Sequence, residues 1–239
     1  MQLNTPDFER LILRLGSMAF LAGLVIIIVS TIFHPSSQLL TNHPLVFAEY
    51  AASMTWIASH IGQFAGVMLV FAGGFVALHR FLASSESGVV KGLALHGLAA
   101  AIVAASTFAI LQAVDGIALK KAVDSWAAAP LDEKVAAFRV AEGIRWIEIG
   151  TNSIFRILQG SVAVIFGAAI AMSGLLHRWI GGFGILAGSA TIIFGVGIAY
   201  VGFANQPIVG DLSTFTSLIW LAILGIFMWK KSMKRMIAR

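Results

Sequence analysis

Six apolar segments, each close to the length needed to cross a lipid bilayer, constrain the fold of this chain more than any other feature. The segments lie near residues 12–33, 57–78, 93–115, 153–175, 180–203 and 213–229. A helix of about 20 apolar residues spans the hydrocarbon core, and a helix pairs its backbone polar groups internally, as lipid requires. The sequence therefore predicts an all-α, polytopic membrane protein with six transmembrane helices.

The composition leaves little room for anything outside the membrane. Of the 239 residues, 59% are hydrophobic and 11% are charged, whereas soluble domains have about 25% charged residues. We therefore interpret residues 1–239 as a single six-helix membrane domain. The chain has no cysteine, which excludes disulfides, thiolate catalysis and cysteine-ligated metal centres.

The distribution of lysine and arginine predicts the orientation. If both termini lie on one side, the other side has no Lys or Arg in its loops 34–56 and 204–212. The terminal side then collects Arg10, Arg14, Arg80, Lys91, Arg178, Lys230, Lys231, Lys234, Arg235 and Arg239. Because cytoplasmic loops are enriched in these cations, we expect both termini to be cytoplasmic.

The charged segment 116–150 is expected to be helical and to lie on the outer side. Pro130 is followed closely by two acidic residues, a pattern typical of a first helical turn. The sequence thus predicts that spans three and four project past the membrane as a helical hairpin joined near Ala129 and Pro130. Gly143 and Gly150 are the expected bends.

Three ionisable residues are predicted to lie at one depth near the outer boundary. They are His60, Asp115 and Arg156, and each is about 20 residues from a histidine at the other end of its span. In a helix, about 20 residues extend over roughly the thickness of the hydrocarbon core. Those histidines are His79, His96 and His177.

A glutamine follows one turn deeper in each of these spans. Gln63, Gln112 and Gln159 are each three residues from the ionisable residue of their span and so share its helix face. Amide groups facing lipid would be costly. The pattern therefore predicts a polar cup between spans two, three and four that opens to the outer side.

Span four contributes a polar stripe to this cup. Glu148, Asn152 and Arg156 recur every four residues. An arginine keeps its proton and needs a carboxylate near hydrocarbon, so Asp115 or Glu148 is the expected partner of Arg156. The candidate ligand-binding residues are His60, Gln63, Gln112, Asp115, Glu148, Asn152, Arg156 and Gln159.

This constellation suggests binding, and possible transport or sensing, of a small polar or anionic molecule, with His60 as a proton-responsive member. An alternative is a non-catalytic accessory or assembly subunit whose polar network only holds helices together. A third is an intramembrane protein that ligates haem through His79 and His177 or a metal through histidines such as His34 and His43. No HExxH, GxSxG or GxxxxGK[ST] motif occurs, so no enzymatic activity and no cofactor is assigned.

The run His177-Arg178-Trp179-Ile180-Gly181-Gly182-Phe183-Gly184-Ile185-Leu186-Ala187-Gly188 resembles the basic-aromatic turn and glycine-rich helix of several uncharacterised bacterial multi-pass membrane protein families. The resemblance implies a bacterial inner-membrane location. Expected partners are the bilayer, anionic lipid headgroups at the cationic tail 230–239, and a protein partner or a second copy of the chain. Nucleic acid is not expected, because the cations lie at span ends.

Overall fold

A computed structural model of the protein describes residues 5–35, 40–204 and 207–237, which are helical apart from short connections. The helices are α1 (Thr5–Ile32), α2 (His43–Ala52), α3 (Trp56–Leu82), α4 (Gly88–Ala128), α5 (Lys134–Ser173), α6 (Arg178–Val201) and α7 (Pro207–Ile237). All except α2 are long and apolar enough to cross a membrane. The prediction of six helices long and apolar enough to span a membrane is confirmed.

The six long helices pack as a ring in which each contacts its neighbours along the chain and α7 returns to α1. Phe75 of α3 lies at the centre of this ring. Its aromatic ring lies 5.2 Å from that of Phe20 on α1, 5.1 Å from that of Phe166 on α5 and 6.1 Å from that of Trp220 on α7. Four helices thus share one aromatic core, whose contacts add to the energy of burial.

A seam of glycines holds α5 against α6. A Cβ atom on Gly160 would lie 2.5 Å from the Gly188 carbonyl oxygen, and one on Gly167 would lie 2.7 Å from the Gly181 carbonyl oxygen. Both pairs are symmetric about Gly174, which has a φ of 65° and ends α5. Because lipid supplies no hydrophobic drive between helices, such close backbone packing stabilises their association.

The helical hairpin predicted between spans three and four is present. With 40 residues, α5 is about 60 Å long, roughly twice the hydrocarbon thickness, so one end of it must extend beyond the membrane. α-Helical structure continues through Gly143 and Gly150, so neither glycine interrupts α5, and bends there stay a prediction. Two other helices are each interrupted by one π-helical segment, at Leu69–Phe75 in α3 and Ala113–Leu119 in α4.

The start of α1 and the end of α7 lie at the opposite end of the bundle from the hairpin. The Arg14 guanidinium at the start of α1 lies 3.6 Å from the Met233 sulfur near the end of α7. Arg80, at the end of α3, forms an ion pair of 3.1 Å with Glu9 of α1. These two helix ends therefore share a side of the bundle. That both termini lie on this side, and that it is the cytoplasmic side, stay predictions.

Substitution of Gly188 tests the glycine seam. Gly188→Val would push a branched side chain into the backbone of α5, and overpacking of this kind costs about 1–3 kcal/mol. We expect a lower thermal denaturation midpoint in detergent. Gly182→Val is the matched control, since a Cβ at Gly182 meets nothing within 4 Å, and equal effects of the two substitutions would contradict the seam.

Candidate functional site

The structure divides the predicted polar residues between two places in the bundle. His60, Asp115 and Glu148 belong to a network at the hairpin end, beneath α2. Arg156 and Gln159 lie deeper, where α5 faces α6 and α7. The single open cup predicted from the sequence is therefore not what these residues form.

The predicted proximity of His60 and Asp115 is present. The His60 Nε2 atom lies 3.1 Å from Asp115 Oδ2, although the two atoms are not aligned for a hydrogen bond. The Nδ1 atom of His60 lies 2.8 Å from the Trp56 carbonyl oxygen, and Trp56 Nε1 donates to the Asp115 carbonyl oxygen at 3.1 Å. Gly116 permits this approach, because a Cβ there would lie 2.5 Å from His60 Cβ.

Glu148 pairs with Arg145, which the sequence analysis did not include in the site. Arg145 Nη1 donates to Glu148 Oε2 at 2.5 Å, and each residue is only 2% exposed. The guanidinium also lies 5.5 Å from the centre of the Tyr50 ring and 4.8 Å from that of Phe203. From the sequence, Arg145 is only one of several cations in the charged segment 116–150. Its three-residue spacing from Glu148 on a predicted helix was the available signal of the pair.

The short helix α2 covers this network. Val46, Phe47 and Tyr50 of α2 pack in a buried apolar cluster with residues of the hairpin. The Tyr50 ring lies 3.9 Å from that of Trp56. Burial raises the pKa of Tyr50 above its usual range, against the opposing effect of Arg145, so the phenol stays neutral. The predicted opening toward the outer side is closed by α2.

His34, which follows α1, packs against two aromatic side chains of the same network. Its ring lies 4.8 Å from that of Trp56 and 5.0 Å from that of His60. Burial lowers the pKa of His34, and the neighbouring His60 lowers it further, because both disfavour the imidazolium. His34 is thus held as a neutral ring against the aromatic cover.

The expected pairing of Arg156 with Asp115 or Glu148 is wrong. Arg156 Nη1 donates to Gln159 Oε1 at 3.2 Å, and its guanidinium lies 5.9 Å from the Phe155 ring and 5.8 Å from the Phe194 ring. Among the residues that the structure describes, no carboxylate lies within salt-bridge distance of it. The physical reason is that Glu148 is already paired with Arg145, which lies one helical turn from Glu148 on α5.

Gln159 connects Arg156 to a polar cluster between α6 and α7. Gln159 lines a small internal cavity of about 20 Å³ together with Ser217 and Trp220. The Ser217 hydroxyl lies 3.1 Å from that of Thr191, which also accepts a hydrogen bond from Ser213 at 3.0 Å. This volume can hold about one water molecule.

The three glutamines do not converge. Gln112 lines a crevice between α3 and α4, whereas Gln159 lines the internal cavity, and Gln63 is half-buried. Several buried polar atoms at these positions have no hydrogen-bond partner in the described part of the chain. They are His60 Nε2, Gln112 Oε1, Asp115 Oδ1, Arg145 Nε and Nη2, Asn152 Oδ1, and Arg156 Nε.

An open pocket of about 640 Å³ lies at the hairpin end, beside the covered network. His43 and Glu142 line it and lie 3.2 Å apart. Phe203 also lines this pocket, and its ring lies 4.8 Å from the Arg145 guanidinium. The pocket therefore reaches the aromatic shell of the Arg145–Glu148 pair.

The histidines do not assemble an evident metal site. Within residues 5–35, 40–204 and 207–237, no group of three or more His, Cys, Asp or Glu side chains is arranged to hold a metal ion. His177 precedes α6, and its ring packs edge-on at 5.7 Å against that of Phe227. The metal alternative thus has no converged ligand set among the described residues.

Comparison with known proteins gives no match, whether to family models, to curated sequences or to solved structures.

The buried Arg145–Glu148 pair should be essential for stability. Glu148→Ala leaves an unpaired buried guanidinium and should cost about 3–5 kcal/mol of unfolding free energy, whereas the double variant Arg145→Met/Glu148→Leu should recover most of that loss. Thermal denaturation in detergent measures both.

Arg139→Ala is the matched control for this prediction. Arg139 pairs with Glu142 at the same three-residue spacing on the same helix, but its side chain is 71% exposed, and exposed pairs contribute little. A Glu148→Ala protein as stable as the Arg139→Ala protein would show that the buried pair is dispensable.

Proposed function

We propose that the protein binds a small anionic or polar molecule inside the membrane domain, with Arg156 as the fixed cation. The observation that carries this proposal is the lack of a carboxylate beside Arg156 among the described residues. A guanidinium keeps its charge, and an uncompensated charge in a membrane-spanning segment is costly. A bound anion would supply the missing counter-charge.

The surroundings of Arg156 suit a small ligand of this kind. Gln159 and the hydroxyls of Thr191, Ser213 and Ser217 provide hydrogen-bonding groups at the same level of the bundle. The Phe155 and Phe194 rings lie 5.9 and 5.8 Å from the guanidinium, and hydrogen bonds to a charged ligand are stronger in such apolar surroundings. The cavity of about 20 Å³ at Gln159, the hydrogen-bond partner of Arg156, has room only for a monoatomic or few-atom ligand.

Ligand-dependent stabilisation of purified protein tests the proposal. Sodium salts of chloride, nitrate, formate and phosphate, compared at constant ionic strength, should include at least one that raises the denaturation midpoint of the wild-type protein. We expect Arg156→Gln to weaken this binding at least tenfold, because the charge-assisted contact is removed. The exposed Arg139→Gln should bind like wild type.

A second candidate function is that of a non-catalytic accessory subunit. The observation that favours it is the closure of the outer network by α2, since a sealed network has the form expected of helix-holding contacts. If none of the anions stabilises the wild-type protein more than Arg156→Gln, anion binding is overturned. Co-purification of a stoichiometric partner would then support the accessory role.

We further propose a multi-pass protein of the bacterial inner membrane, with both termini cytoplasmic and the cationic C-terminal tail near anionic lipid. The basis is the distribution of Lys and Arg between the two ends of the bundle. Transport or sensing of the bound molecule would follow from an exchange with the outer side, through the pocket beside Phe203.

Reporter fusions test this orientation. A cytoplasm-active reporter should be active when fused after residue 239, and an externally active reporter should be active when inserted at Ala129–Pro130. The opposite pattern would place the hairpin in the cytoplasm and would contradict the proposed route of entry.

A further inference from the structure

A crevice between α3 and α4 opens toward the lipid. It is separate from the region around Arg156. We call it the lateral crevice. Its upper part has a volume of about 200 Å³ and is lined by Ile61, Phe64, Ala109 and Ala113, with His60 and Gln112 at the hairpin end. Both Ile61 and Phe64 are exposed on the surface of the bundle, so a molecule in the crevice can enter from the bilayer.

The lateral crevice continues along the same two helices toward the other side of the membrane. A second space of about 310 Å³ adjoins the first, because Phe64 and Ala109 line both. Its lining is almost entirely apolar, and three further alanines keep it open. These are Ala72, Ala101 and Ala105.

The length of the lateral crevice matches a long chain rather than a compact molecule. From Ala101 to Gln112, α4 rises about 16 Å, which is more than half of the hydrocarbon thickness. The lining residues therefore face one continuous apolar strip that crosses the bilayer midplane. A single hydrocarbon chain fits such a strip better than the two chains of an ordinary phospholipid.

The polar end of the lateral crevice indicates the head group. Gln112 is 8% exposed, and its Oε1 atom accepts no hydrogen bond in the described part of the chain. The terminal amide turns readily about its last torsion, so it can present this acceptor to a molecule in the crevice. His60 Nε2, at the same end, also lacks an aligned partner.

The head group should be uncharged. No lysine or arginine lines either part of the crevice, so a phosphate would have no counter-charge there. Gln112 lies about one helical turn inside Asp115, and ions are costly at that depth. The Gln112 Oε1 atom can accept a hydrogen bond, and an uncharged head group with a hydroxyl can donate one.

We propose that the lateral crevice binds a single-chain amphiphile whose uncharged, hydroxyl-bearing head hydrogen-bonds to Gln112 while its hydrocarbon chain lies between α3 and α4. The site is separate from Arg156 and does not depend on the function proposed there. Its occupant enters from the bilayer, whereas the anion is proposed to enter from the outer aqueous side.

Photolabelling of the full-length protein in phosphatidylcholine nanodiscs tests this site. The probes are a 16-carbon alcohol carrying a diazirine in its chain and the matched 16-carbon hydrocarbon without the hydroxyl. We expect saturable labelling by the alcohol on residues 57–76 and 101–117, mapped by mass spectrometry. The alcohol should half-saturate at a concentration several-fold lower than the hydrocarbon, as one hydrogen bond implies.

Two substitutions distinguish the crevice from ordinary lipid contact. Ala109→Trp should fill the crevice and abolish saturable labelling. Ile110→Trp is its control, because Ile110 is the adjacent residue, is 59% exposed and lies outside the crevice lining. Ala109→Leu provides a smaller obstruction if the tryptophan variant does not fold.

Gln112→Leu tests the head group separately. It should remove the advantage of the alcohol over the hydrocarbon while leaving the labelled residues unchanged. Labelling spread evenly over the lipid-facing helices would overturn the proposal, as would wild-type labelling of folded Ala109→Trp or Ala109→Leu protein. An undiminished preference for the alcohol in Gln112→Leu would overturn the assignment of the head group.

Discussion

The buried ion pair between Arg145 and Glu148 is the interaction on which the hairpin end of this protein depends. Burying two charges costs several kcal/mol for each ion unless they meet at close range and other groups complete their surroundings. Tyr50 and Phe203 provide that surrounding with their rings. Because Tyr50 belongs to α2, the pair also holds this short helix over the bundle. The Tyr50 ring packs on Trp56, whose ring packs on His60.

The same pair determines the electrostatics deeper in the bundle. Glu148 is used by Arg145, and Asp115 lies against His60, so neither carboxylate is left for Arg156. The charge of Arg156 is instead met by one amide oxygen and two aromatic rings. These neutral partners attract a cation only weakly compared with a carboxylate. The anion that we propose would supply the counter-charge that the described residues do not place beside Arg156.

Depth was predictable from the sequence, but direction around each helix was not. Hydropathy located all six spans, and counting about 1.5 Å per residue placed His60 and Asp115 at one level, as the structure has them. The same counting cannot say how far each helix is rotated, so Gln112 and Gln159 were wrongly expected to meet. The π-helical segment Ala113–Leu119 adds to this error, because it shifts the register between Gln112 and the residues that follow. The helix α2, residues 43–52, is too short for hydropathy alone to predict that it packs over the network around Glu148.

His60 is where the covered network and the lateral crevice meet. One side of its ring contacts Trp56 and Asp115, while another side lines the apolar space between α3 and α4. The π-helical segment Ala113–Leu119 of α4 contains both Asp115 and Gly116, and such segments commonly occur at functional sites. Gly116 allows α4 to approach the His60 side chain closely. A chain bound at the proposed crevice site would therefore contact the same histidine that packs against Trp56 and Asp115 in the network beneath α2.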